Sequence, residues 1–145
     1  MAKGDFMAWF LVKSDPDEYS LDNLEKDGST TWDGVHSFAA IGHIKAMKPG
    51  DLVLIYHSLK EKSIVGLAEV EDHPFLNTND PRFSWAVNLK FNLKFKQPIT
   101  LTTMKSVDEL KDFMLIRQSR LSVMPVDPST LRWLKRHIPE ITSID

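Results

Sequence analysis

The chain has 145 residues, 42% hydrophobic and 26% charged, the make-up of one soluble globular domain large enough to bury a core without staples. Cysteine is absent, which excludes disulfides, thiolate chemistry and Cys-ligated zinc. The formal net charge of -2 lacks the basic excess of a protein that grips many phosphates, and no apolar run approaches the roughly 18 residues that cross a bilayer.

In chain order, residues 1–7 read as a loose leader without a secretory pattern, so a cytoplasmic protein is expected, with one domain over 8–145. Residues 9–13 are apolar and predict a buried strand, stopped by Ser14-Asp15-Pro16. Ser20 can cap a short helix to Lys26 with Leu21 and Leu24 on one face, and Asp27-Gly28-Ser29 ends it. A second helix is expected over 36–47, where Ala40, Ile41, Ile44 and Met47 keep helical spacing before Pro49-Gly50. Strands follow at 51–57 and 64–70, joined as a hairpin through Lys60-Glu61-Lys62-Ser63.

Residues 84–95 carry the cleanest period in the chain. Trp85, Val87, Leu89, Phe91, Leu93 and Phe95 alternate with Ala86, Asn88, Lys90, Asn92 and Lys94, giving one buried and one wet face. That length exceeds a typical strand and implies a bend or barrel curvature. After Gln97-Pro98 the pattern predicts a helix over 104–114 and a short returning strand over 120–123. Pro128-Ser129 opens a last helix whose buried stripe is Leu131, Leu134 and Ile138. Helices flanking mostly antiparallel strands make an α+β fold, a curled sheet or small barrel.

Three segments join a large aromatic to short hydrogen-bonding residues, a combination that suits a flat, polar ring. Trp32-Asp33-Gly34-Val35 offers an indole beside a tight turn. Trp32 is then either the wall of a stacking pocket or core, with Asp33 a helix cap; the residues alone support both. Lys13-Ser14-Asp15-Pro16 leaves a strand end with an amine, a hydroxyl and a carboxylate, which alone reads first as a capped turn. Tyr56-His57-Ser58 ends another strand, and adjacent residues there point apart, so no Ser-His-Asp triad is expected. Arg120 reads first as an ion-pair partner of Asp15 or Asp33 and second as a phosphate contact. Lys90, Lys94 and Lys96 read first as a solvated face and second as a weak phosphate track. Glycine-rich phosphate loops, H-E-x-x-H and G-x-S-x-G are absent, and His36 and His43 have no carboxylate at ligand spacing, so neither metal nor cofactor is expected.

Taken in order, these segments resemble the EVE domain family of the PUA-like superfamily, akin to YTH domains. The resemblance runs from Trp9-Phe10-Leu11-Val12-Lys13-Ser14-Asp15-Pro16 and Tyr19-Ser20 through Thr31-Trp32-Asp33-Gly34-Val35 and Ala46-Met47-Lys48-Pro49-Gly50-Asp51. It continues in Tyr56-His57-Ser58, in Ile64-Val65-Gly66-Leu67-Ala68-Glu69-Val70 and in Arg120-Leu121-Ser122-Val123-Met124-Pro125-Val126, spanning about residues 8–138. It implies a PUA-like bent β-barrel of mixed, mostly antiparallel strands with peripheral helices. It also implies a non-catalytic module that binds nucleic acid by holding a modified, flipped-out base, modified cytosine in DNA; a monomer is expected. The ligand-binding residues carried over are Lys13, Ser14, Trp32, Gly34, Val35, His57, Ser58, Arg120 and Ser122, with His36 and Ser37 beside them. His36-Ser37 stands where the family usually has Arg-Asn, and Ala40-Ile41-Gly42 where Ala-Arg-Asn is usual, so guanidinium groups near the helix start are missing. The alternatives are an RNA-binding or small-heterocycle module and, behind those, an enzyme acting on a nucleoside with His57 or His36 as general base. A Trp32 sealed in the core without an adjoining hollow would end the base-reading case.

Overall fold

Two apolar runs, Trp9–Ser14 (β1) and Leu52–His57 (β3), lie side by side in the computed structural model, which describes residues 7–144. They pair in parallel from Trp9↔Leu52 to Ser14↔His57. Central parallel strands are covered on both faces, which is why these two read as unbroken hydrophobic runs instead of alternating ones. A parallel pair needs a crossover, and residues 15–51 supply it. Within it lie α1 (Leu21–Asp27), β2 (Ser29–Trp32) and α2 (Phe38–Lys45).

The remaining strands are β4 (Ser63–Val70), β5 (Phe75–Leu76), β6 (Trp85–Thr100) and β7 (Val123–Pro125). The sheet runs β2-β6-β4-β3-β1-β7, with β5 paired to β6 off this path. Every pairing except β1 with β3 is antiparallel. This curled, mixed sheet is the bent α+β barrel that the resemblance implied. Residues 1–6 of the expected leader lie outside the described residues, and Met7 packs against the core. Among the described residues no helix is long and apolar enough to cross a membrane.

The long strand bends where its register slips. Gly66 faces Lys94 and Ile64 faces Ile99, so two residues of β4 oppose five of β6. Pro98 sits in that irregular stretch, where the N–H it lacks is not needed for a regular ladder, and β6 therefore continues past the expected stop at 95. Gly66 is required there, because a Cβ would lie 2.6 Å from the Leu93 carbonyl oxygen and against the Leu21 side chain.

Helix ends follow their caps. Ser20 and Asn23 form a capping box at α1, and Gly28 closes it at φ +82°. Ser37 caps α2 by accepting from the Ala40 N–H, so that helix starts two residues later than expected. Asp127 caps α5 (Pro128–His137), whose Leu134 and Ile138 are buried and whose Leu131 is half-buried; Thr130 and Trp133 join the stripe.

The single helix expected over 104–114 does not form. The chain makes α3 (Leu101–Lys105), a 3-10 turn at Asp108–Leu110 and α4 (Met114–Arg117). The apolar residues Leu101, Met104, Val107, Leu110, Phe113 and Ile116 recur every third position, the period of a 3-10 helix and not of an α-helix. N–H groups of Val107, Leu110, Phe113 and Ile116 accordingly donate to carbonyls three residues back. The returning strand is present but begins at Val123, set by its pairing with Val12.

Candidate functional site

The ends of β1 and β2 and the loop after β1 enclose a hollow of about 320 Å³, near the lower end of the roughly 300–1,000 Å³ typical of ligand pockets. That size suits one planar heterocycle. β1 contributes Lys13 and Ser14, the loop Asp15, Glu18 and Tyr19, and β2 with its turn Thr30, Thr31, Trp32 and Asp33.

The loop is closed by its own hydrogen bonds. The Asp15 carbonyl accepts the Glu18 and Tyr19 N–H groups, both at 2.9 Å, and its carboxylate accepts the Asp17 N–H. The Ser14 hydroxyl donates to the Tyr19 carbonyl. Tyr19 is thereby set edge-on to Trp32, with ring centroids 6.2 Å apart and planes at 81°. Its hydroxyl donates to Asp27 at 2.9 Å, and burial pushes the phenol up from its ordinary value. Trp32 itself is half-buried, packed on the core on one side and lining the hollow on another.

Lys13 is the single amine of the lining among the described residues. Its Nζ donates to the Ser119 carbonyl at 2.7 Å, and burial draws its pKa below the ordinary lysine value. Asp15, Glu18 and Asp33 place three carboxylates around the same space. Such a lining disfavours a phosphate and favours a neutral or amino-bearing ring, because carboxylates accept hydrogen bonds and repel anions.

A second hollow, of about 530 Å³, shares Thr31 and Asp33 with the first and adds Gly34, Phe75, Asn77, Asn79, Asp80 and Pro81. Gly34 turns the chain at φ +74°, as its Asp-Gly pair suggested. Asp80 accepts from the Arg82 backbone N–H at 2.9 Å, lies 2.7 Å from His36 Nε2 and accepts from Ser84 Oγ at 3.2 Å. The Arg82 N–H first, then the His36 ring, hold its carboxyl below the ordinary range.

Lys13, Ser14 and Trp32 therefore meet at one hollow, with Gly34 at its neighbour. The other carried-over residues do not line either. Val35 is buried in the core, His36 is engaged with Asp80, and Ser37 caps α2. His57 is buried: its Nε2 accepts the Leu21 N–H at 3.1 Å, so the ring hydrogen sits on Nδ1, 3.0 Å from Glu61. Ser58 donates to the Ser14 carbonyl at 3.3 Å, and Ser122 gives its carbonyl to the Lys13 N–H. Arg120 is exposed and, among the described residues, pairs with neither Asp15 nor Asp33, contrary to the ion pair expected for it. Thr30 was missed because β2 was not expected; in a strand it shares the face of Trp32, two residues on. Among the described residues no three His, Asp or Glu side chains gather as a metal site.

The chain matches the family model of the EVE domain over residues 8–136. Thymocyte nuclear protein 1 of Homo sapiens is 28% identical over 152 residues, covering 81% of this chain and 68% of that protein. A solved hypothetical protein from Leishmania major is 33% identical with a TM-score of 0.84, covering 97% of this chain and 99% of its own. The crystal structure of human THYN1 protein in complex with 5-methylcytosine containing DNA shares the fold, with a TM-score of 0.80 at 24% identity over 88% of this chain and 95% of that one.

Proposed function

Because the chain belongs to the EVE domain family, we propose that it is a non-catalytic module that binds nucleic acid by taking a modified, flipped-out base into the hollow beside Trp32. The observation that carries this reading is the half-buried indole, held edge-on by Tyr19 at the wall of a ring-sized hollow with Lys13 and Ser14. The human relative crystallised with 5-methylcytosine DNA makes modified cytosine in DNA the first ligand to test. A cytosine-type ring presents an exocyclic amino group, which the carboxylate-lined hollow is equipped to accept. A non-catalytic role is supported by His57, whose two ring nitrogens are engaged with Leu21 and Glu61. Monomeric state and a cytoplasmic home belong to the same proposal, to be checked by sedimentation and by cell fractionation.

The energetics demand edge contacts. Extracting a base costs a few kcal/mol, and stacking on an aromatic returns about 1–3 kcal/mol. Hydrogen bonds to the base rim must supply most of the remainder, and a buried methyl adds about 0.8 kcal/mol, roughly fourfold. Discrimination for a methylated base is therefore modest unless the hollow excludes water around the methyl.

The test is a binding panel of labelled oligonucleotides carrying different modified bases. Trp32→Ala is expected to weaken binding by about 5- to 150-fold, the stacking term, with far-UV circular dichroism unchanged, and Trp32→Phe to restore part of it. Equal binding by the folded alanine variant would overturn the proposal. The three carboxylates favour one second reading, a free small heterocycle as ligand. It would be preferred if a nucleoside bound as tightly as the oligonucleotide.

A further inference from the structure

We propose that Phe38 and Phe83 form a second stacking platform, which receives another base of the strand whose modified base is held beside Trp32; this rests on the nucleic-acid reading above. Phe38 is 83% exposed and Phe83 57% exposed, a large apolar area left in water, whereas Phe10, Phe95 and Phe113 are buried. The rings are 6.3 Å apart between centroids and tilted by 60°. Phe38 opens α2 directly after its Ser37 cap, so helix geometry fixes its Cα. Phe83 lies in the segment between β5 and β6, and the 2.7 Å contact of His36 with Asp80 ties that segment to the residues leading into α2. The pair is therefore built from two chain segments fastened to each other.

Position points to the occupant. The segment carrying Phe83 also gives Asn77, Asn79 and Asp80 to the second hollow, which shares Thr31 and Asp33 with the hollow of Trp32. Phe38 follows Trp32 by six residues, so their Cα atoms are at most about 22 Å apart. A stacked strand advances about 3.4 Å per nucleotide, so the platform lies within about six nucleotides of the held base. Arg82 stands beside Phe83 and has no ion pair among the described residues, leaving a cation free for a phosphate. Exposed aromatic rings, an adjacent cation and carboxamides suit the alternating bases and phosphates of a strand.

The platform gives the site a way to bind a polymer without the missing guanidinium groups near the start of α2. It also assigns separate roles: the Trp32 hollow reads one base, and the phenylalanines hold what flanks it. Stacking is tolerant of sequence, so the flanking contact raises affinity without adding a base preference.

The experiment measures two ligands on the same proteins: an oligonucleotide containing 5-methylcytosine, by fluorescence anisotropy, and free 5-methyl-2′-deoxycytidine, by NMR titration. The Phe38→Ala/Phe83→Ala variant is expected to lose about tenfold or more in oligonucleotide affinity while binding the nucleoside as the wild type does. Oligonucleotides made abasic over about six positions on either side of the modified base should weaken wild-type binding by a similar factor and leave the variant unaffected. Wild-type affinity in the double variant, with Trp32→Ala still impaired, would overturn the platform alone. Failure of the wild type to bind any oligonucleotide in a Trp32-dependent way would overturn both it and the base-reading proposal.

Discussion

Leu21 is the first residue of α1, and its N–H has no partner inside that helix; the His57 ring supplies one. A histidine that looked available for a ligand or for proton transfer is thus a buried acceptor that fastens a helix start to β3. His57→Ala leaves the Leu21 N–H unpaired, so it should cost about 1–3 kcal/mol of stability, read as a lower urea midpoint, while the folded variant binds oligonucleotide unchanged. Lys13 carries a different expectation. Burial depresses its pKa from 10.5, so its charge is present at low pH and lost as pH rises through a lower value, ahead of solvated lysines. Binding that uses that charge should weaken over this alkaline window, and anisotropy titrations of Lys13→Met should lack the effect. For stability the sign is reversed: the folded state favours neutral Lys13, so its contribution improves as pH rises through the folded value.

Elements are placed here by close approach as much as by propensity. α1 can lie on the sheet at Leu21 because Gly66 of β4 has no side chain, and the same absence admits the Leu93 carbonyl of β6. Gly66→Ala should therefore destabilise by about 1–3 kcal/mol through overpacking, measured by urea denaturation. The alternation in β6 was legible in the sequence because burial of every second residue is a local pattern: Val87, Leu89 and Phe95 are buried and Lys90, Asn92 and Lys94 exposed, whereas Ala86, expected on the wet face, is buried. β2 was not legible. Thr30, Thr31 and Trp32 are residues that strands favour, but a four-residue segment is too short for its pattern to be read, and it becomes a strand because β6 offers it an edge, from Ser29↔Lys90 to Trp32↔Val87. The stretch from Leu101 to Ile116 misled a helical reading because an i, i+3 step is common to α- and 3-10 helices, and only its repetition without i+4 steps marks the 3.0 period.

At the scale of the molecule, two of the cations on β6 are matched by neighbouring carboxylates. Lys94 and Lys90 of β6 lie 2.9 Å from Asp22 and 3.9 Å from Glu69, which supports the solvated-face reading of that strand over a phosphate track. With a net charge of -2 and a carboxylate-lined hollow, binding should involve two or three phosphate contacts. The slope of log affinity against log salt should then be about -2 to -3, measured by titration at several salt concentrations; a slope beyond about -5 would mean a phosphate-gripping surface instead. The sequence by itself determined the apolar strands, the helix starts at Ser20 and Pro128, and the pairing of an indole with short polar residues, since each is written in neighbouring positions. Only the tertiary structure decided that Lys13, Ser14 and Trp32 face one hollow while His57, Val35 and Ser122 serve the frame. A side chain's direction follows from its own backbone, but what it faces depends on strands paired across dozens of residues.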